Sequence, residues 1–108
     1  MPQEMTLKLA EFTDTPLFRT RDDGDKSGEQ YFDEVLRDAF EKAAKIGAHL
    51  VLDFDGLKFL ASPFLRTSVG ALVERFGIDK VKKTIDFRSL RAPLRIEQAR
   101  RVLQPQST

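Results

Sequence analysis

Five residues, Leu50-Val51-Leu52-Asp53-Phe54, constrain this chain most. They form a short, almost continuous apolar run between Gly47 and the turn dipeptide Asp55-Gly56. A run of this kind reads as a strand buried on both faces at the centre of a sheet. Its neighbours read differently. Before it, Phe32, Val35, Leu36, Ala39, Phe40 and Ala43 recur at helical spacing. After it, Phe64, Leu65, Ser68, Val69, Leu72, Val73 and Phe76 do the same. A buried strand between two amphipathic helices is the mark of an α/β domain.

Local signals set the expected boundaries. Ser27-Gly28-Glu29-Gln30 has the pattern of a capping box, so the first helix is expected from Gly28 to Ile46, with Gly47 as a left-handed cap. Ser62 is expected to cap the second helix, with Pro63 at the first helical position and Gly77 as the stop. Alternation from Met5 to Phe12 and from Thr84 to Phe87 predicts two more strands. Leu57 to Leu60 reads as extended chain or a brief further strand. Pro93 is expected to open a last helix with Ile96, Ala99, Val102 and Leu103 inward, and Pro105 to stop it. Thr13 to Lys26 is polar and turn-rich, a long loop or a loosely paired hairpin. The expectation is a single α/β domain over residues 1–104, a mixed sheet of about four strands with helices packed on it. Residues 105–108 are expected to form a disordered tail.

A chain of 108 residues has room for one core. Its 41% apolar and 32% charged residues match an ordinary soluble domain. The absence of cysteine excludes disulfides, a thiolate zinc site and a cysteine nucleophile. The first eight residues lack the apolar core of a signal peptide, and no apolar stretch approaches the roughly 18 residues of a membrane span. We therefore expect a cytoplasmic protein without a membrane partner. The net charge of +1 conceals an asymmetry. Residues 1–73 carry 9 basic and 13 acidic side chains, and residues 74–108 carry 9 and 4. Such polarity can steer a partner, join copies head to tail, or only solvate a surface. The oligomeric state stays open.

Few residues suggest chemistry. His49 is the only histidine, without a second one to complete a metal site or triad. Asp53 and Asp55 flank Phe54 at strand spacing and can form a carboxylate pair for a cation or acid–base work. The same two residues also fit a strand end followed by an ordinary turn. Asp22, Asp23 and Asp25 lack the downstream glutamate of a calcium loop. No glycine-rich phosphate loop occurs, and no cofactor is expected. The basic stretch Lys80, Lys82, Lys83, Arg88 and Arg91 could touch nucleic acid, but it is read as having no aromatic within it to stack on a base, so no nucleic-acid partner is expected.

The segment from Leu52 to Leu65 resembles the central strand, turn and switch helix of STAS domains, the fold of bacterial anti-anti-sigma factors. More closely, it resembles the STAS-like family of unknown function, which carries a D-F-x-G-φ segment, a serine-containing turn and a Phe-Leu helix start. Arg19, Asp23-Gly24, Ser27-Gly28-Glu29, Phe32, Phe76-Gly77 and Ile85 extend the likeness over most of the chain. In anti-anti-sigma factors the turn reads Asp-Ser-Ser-Gly, and an anti-sigma kinase phosphorylates the first serine. Ser62 falls at that serine, with Ala61, Pro63 and Phe64 replacing the other three. The resemblance implies a non-enzymatic signalling module. Its protein partner would be a kinase-like ATPase or another regulator.

Three readings of function follow. The first is a regulatory interaction module that binds through Ser62, Pro63, Phe64, Arg66 and Thr67 with Asp53 and Asp55 beside them, Ser62 being either a helix cap or a phosphoacceptor. The second is a small metal-dependent enzyme using Asp53 and Asp55. The third is a scaffold or dimerisation domain.

Overall fold

The computed structural model describes residues 3–103. The expected tail and the stop at Pro105 lie outside that range. Three strands, β1 (Glu4–Lys8), β2 (His49–Asp53) and β3 (Ile85–Arg88), form one sheet in the order β1-β2-β3. Both pairings are parallel. The expected mixed sheet of about four strands is thus corrected to a parallel sheet of three.

The missing strand has a physical cause. From Leu57 to Ala61 the backbone bonds to a loop and to side chains rather than to a ladder. The Lys58 amide donates to the Asp14 carbonyl at 2.7 Å and the Ala61 amide to the Pro16 carbonyl at 3.0 Å. The Leu57 and Leu60 carbonyls accept from Arg95 and Gln98. The first strand is also shorter than its alternation predicts. Leu9–Glu11 turns into a 3-10 helix that buries Leu9, so the apolar residue goes under the sheet instead of along it.

The register explains which face is covered. Met5, Leu50 and Ile85 lie in one row, and Leu7, Leu52 and Phe87 in another. Leu50, Leu52 and Ile85 belong to the same buried cluster as the helices, and Met5, Leu7 and Phe87 pack against it. On the other face Glu4, Thr6, Lys8 and Asp86 are exposed. An ion pair from Arg88 to Glu4, at 3.8 Å, passes across the position of Val51, which is buried at the centre of the sheet.

Crossing from β1 to β2 is one long helical run. It comprises α1 (Gly28–Tyr31), a π-helical turn (Phe32–Leu36) and α2 (Arg37–Ile46). The expected span from Gly28 to Ile46 is right, but its middle is wider than an α-helix. Ser27 Oγ accepts from the Gln30 amide at 3.0 Å, as a capping box requires. Gln30 reaches back one residue further than expected, to the Lys26 amide at 3.0 Å. Gly47 closes α2 at φ 69°, a left-handed cap.

From β2 to β3 the chain forms α3 (Ser62–Phe76) and α4 (Ile78–Thr84). Gly77, at φ 90°, stops α3 and opens α4 directly. The seven residues of α4 bury only Val81 and Thr84, too little periodicity to mark a helix in the sequence. The last helix, α5 (Leu94–Val102), follows Pro93 as expected. It packs on α3 and beside β3. Phe40, Phe54, Phe64, Leu36, Leu65 and Leu72 fill the core between sheet and helices. Among the described residues no helix is long and apolar enough to cross a membrane.

Candidate functional site

Every strand leads upward into a loop at the same end of a parallel sheet. In open sheets of this kind, ligands and partners meet the loops beyond the carboxyl ends of the strands. Three loops assemble there. The long loop Thr13–Lys26 follows β1, the loop Phe54–Ala61 follows β2, and Ser89–Pro93 follows β3.

Asp55 ties two of them together. Its carboxylate accepts from the Leu90 amide at 3.1 Å and the Arg91 amide at 3.0 Å. The Arg91 and Leu90 amides hold its carboxyl below the usual carboxylate range, helped by the charges of Arg91 and Arg95. Asp53 closes the turn on the other side, its Oδ1 accepting from the Asp55 amide at 2.9 Å. Both carboxylates accept from backbone amides, as a strand end followed by a turn does, the other reading of this pair in the sequence. Among the described residues no group of three His, Cys, Asp or Glu side chains is placed to hold a metal ion. His49 begins β2 and Asp53 ends it, so the histidine lies at the opposite end of the sheet.

Helix α5 fixes the rest of the β2–α3 loop. Arg95 donates to the Leu57 carbonyl at 3.0 Å and approaches the Phe54 carbonyl at 3.4 Å. One turn on, Gln98 donates to the Leu60 carbonyl at 2.7 Å and to Ser62 Oγ at 3.2 Å. This spacing places both side chains on one face of α5. Neither residue stood out in the sequence, although their i, i+3 placement beside the inward residues Ile96 and Ala99 was the available signal.

Ser62 is not the cap of α3. Ala61 takes that place in an extended conformation, and its carbonyl accepts from the Phe64 and Leu65 amides. Ser62 and Pro63 are therefore the first two helical residues, and the serine hydroxyl is left to accept from Gln98. Pro63 and Arg66 are exposed and Ser62 is half-buried. Ser62, Arg66, Gln98, Arg101 and Val102 line an open polar cleft of about 270 Å³.

Two expected surface residues belong elsewhere. Phe64 is wholly buried, with its ring 5.9 Å from that of Tyr31, so it anchors the helix from below. Thr67 bonds back to the Pro63 and Phe64 carbonyls and lies against Gly28. It seats α1 on α3. Tyr31 fills the remaining gap between Phe12 and Phe64, and burial pushes its hydroxyl pKa upward. The long loop is held down as well. Phe18 and Arg19 carbonyls accept from the Gly28 and Glu29 amides, and Arg21 pairs with Asp33 at 2.8 Å.

The basic stretch does hold an aromatic, Phe87, which is half-buried and stacks on Phe54 with centroids 5.7 Å apart.

A family model described as a STAS-like domain of unknown function matches residues 34–94. The match takes in the end of the π-turn from Glu34, the whole Asp55 loop and the first residue of α5, and stops short of Arg95 and Gln98. No curated protein and no solved structure matches the chain.

Proposed function

This chain belongs to the family of STAS-like domains of unknown function, and on that premise we propose that it is a regulatory, non-enzymatic module of the cytoplasm that binds a protein partner. The binding surface is the start of α3, at Ser62, Pro63 and Arg66, together with the Asp55-Gly56 turn beside it.

One observation carries this reading. The end of α3 is anchored from beneath by Phe64 and Leu65, both buried, while Pro63 and Arg66 point the other way into solvent. A rigid, exposed helix end with its own anchor is suited to recognition. The carboxylates nearest to it are engaged by amides, which disfavours the metal-dependent enzyme as the use of this site.

Ser62 is the candidate phosphoacceptor on this surface. A phosphate on its hydroxyl would enter the cleft shared with Arg66 and Arg101, where charge-assisted bonds favour it. It would also displace the Gln98 donor from the hydroxyl. Modification would in this way change both the charge of the surface and the grip of α5. A kinase-like ATPase is the class of partner that fits such a switch.

The test is affinity capture from a lysate of the source cells with wild type and Arg66→Glu. The reading expects a partner retained by wild type and lost with Arg66→Glu. Equal recovery of the same partner by both proteins removes this surface from consideration.

A further inference from the structure

The sheet has two edges, β1 and β3. Helix α5 lies beside β3. On the outer side of β1 no backbone hydrogen bond is made to any other segment among the described residues. The direction of its free groups follows from one bond. The Gln3 carbonyl accepts from the His49 amide at 2.8 Å and so points toward β2. Backbone groups alternate sides along a strand, so those of Met5 and Leu7 also face β2, and those of Glu4, Thr6 and Lys8 face outward. Such a row of unpaired amides and carbonyls is a template for another strand.

We propose that this strand is the β1 of a second copy, paired antiparallel across a two-fold axis at Thr6, so that one sheet runs through both copies. The proposal goes beyond the interaction reading above and uses no residue of the α3 surface.

The sequence of β1 is complementary to itself in one register. With Thr6 opposite Thr6 of the second copy, Glu4 faces Lys8, Met5 faces Leu7, and Lys8 faces Glu4. This register pairs all three outward residues, and each pair exchanges two hydrogen bonds. It also sets opposite charges directly across from each other at both ends and a threonine pair at the centre, the combinations that stabilise a ladder. A slip of two residues leaves an outward residue of each strand unpaired and puts threonine opposite Glu4 or Lys8, so both charge pairs are lost. A closed two-fold pairing of this kind uses the same patch on both copies.

The side chains fit the same arrangement. Glu4, Thr6 and Lys8 are exposed, and Met5 and Leu7 are half-buried on the helix side. Beside the edge on that side is a groove of about 240 Å³ whose apolar lining is Leu7, Phe12, Tyr31 and Val35. Residues opposite each other in a ladder share a face, so Met5 of the second copy comes to lie next to Leu7 at this groove. Glu4 also reaches Arg88 at 3.8 Å, a long and exposed pair that leaves its carboxylate free to accept from a second cation. The other charges near the edge lie off the strand and do not set its register. Glu11 belongs to the 3-10 turn, and Lys26 sits over the Phe12 ring at 4.7 Å. On the helical run, Asp33 and Glu34 are paired with Arg21, and Asp38 with Arg37.

Sedimentation equilibrium of the full chain over a concentration series tests this. The expected result for wild type is a monomer–dimer equilibrium. Thr6→Pro removes the outward amide at the axis and spares the ladder to β2, and it should abolish the dimer. Lys8→Glu and Glu4→Lys each set like charges opposite one another, twice by symmetry, and each should weaken the dimer about tenfold or more. An equimolar mixture of these two variants should dimerise again, because each supplies the charge that the other lacks. The double variant Glu4→Lys/Lys8→Glu should do so alone. The two charge variants should melt as wild type does, since both side chains are exposed.

A wild-type monomer at every concentration overturns the proposal. A dimer indifferent to both charge variants overturns it as well, since the contact then lies elsewhere. Charge variants that fold as wild type but stay monomeric when mixed overturn the antiparallel register. None of these results touches the capture of a partner by wild type or its loss with Arg66→Glu, so the edge and the α3 surface fail separately.

Discussion

Gln98 and Ser62 are joined by a hydrogen bond of 3.2 Å, and the same carboxamide reaches the Leu60 carbonyl at 2.7 Å. One side chain on α5 therefore holds both the last turn of the β2–α3 loop and the first residue of α3. Gln98→Leu removes both bonds and leaves the partly buried Leu60 carbonyl without this donor. It should lower stability by roughly 1–3 kcal/mol in urea unfolding. Ser62→Ala removes one bond and should cost no more than about 1 kcal/mol. Equal costs for the two variants would mean that the Leu60 bond contributes nothing.

The two amides on the Asp55 carboxylate predict a stability that depends on pH. Its folded-state pKa is lowered, chiefly by the Arg91 and Leu90 amides, so the folded protein binds this proton more weakly than the unfolded chain does. The resulting stability is complete above the ordinary aspartate pKa of about 4 and is lost as pH falls through the lowered folded value. Asp55→Asn should melt below wild type at neutral pH, and the gap should close as pH falls from about 5 to about 2. Melting curves for both proteins across that range provide the check. A constant gap would show that the carboxylate charge has no part in joining the loops.

Gly28 sits where α1 meets α3. A Cβ there would collide with the Phe64 carbonyl and with Thr67 Oγ1. Gly28→Ala should therefore cost roughly 1–3 kcal/mol from overpacking, although alanine is the better helix former. Thr67→Ala in the same chain should recover part of the loss but not all of it, because the carbonyl is fixed in α3. Chemical denaturation of the single and double variants measures this coupling.

Phe64 and Pro63 are adjacent in sequence and opposite in role. Phe64→Ala empties a buried site and should cost roughly 3–5 kcal/mol. Pro63→Ala, on the exposed side, should stay within about 0.5 kcal/mol of wild type. A loss of partner binding by Phe64→Ala would report unfolding, and a loss by Pro63→Ala would report the surface. The two are separated by recording a melting curve beside each binding measurement.

The class of fold was legible because the run Leu50–Phe54 is short, apolar and flanked by helical periodicity. Helix starts and stops at Ser27, Gly47, Gly77 and Pro93 were legible because caps are local chemistry. The strand count was not. Whether Leu57–Leu60 joins a ladder depends on Asp14, Pro16, Arg95 and Gln98, which are remote in sequence. The direction of β1 was equally out of reach, since alternation does not reveal which way a neighbour runs. At the site, Asp53 and Asp55 stood out in the sequence, but strand spacing could not show that backbone amides would engage both. Phe64 was assigned to the surface by its place in the segment, and its burial follows from helix phase against Tyr31.

The central claim is that this domain meets its partner at the carboxyl end of the sheet. Amide hydrogen exchange of the chain, free and in complex with the partner captured by wild type, tests it most directly. Added protection at Gly56–Arg66 and Leu90–Arg95, with none on α2 or α4, is the predicted result. Protection confined to β1, or to the end of the domain that holds His49 and Gly47, would contradict it.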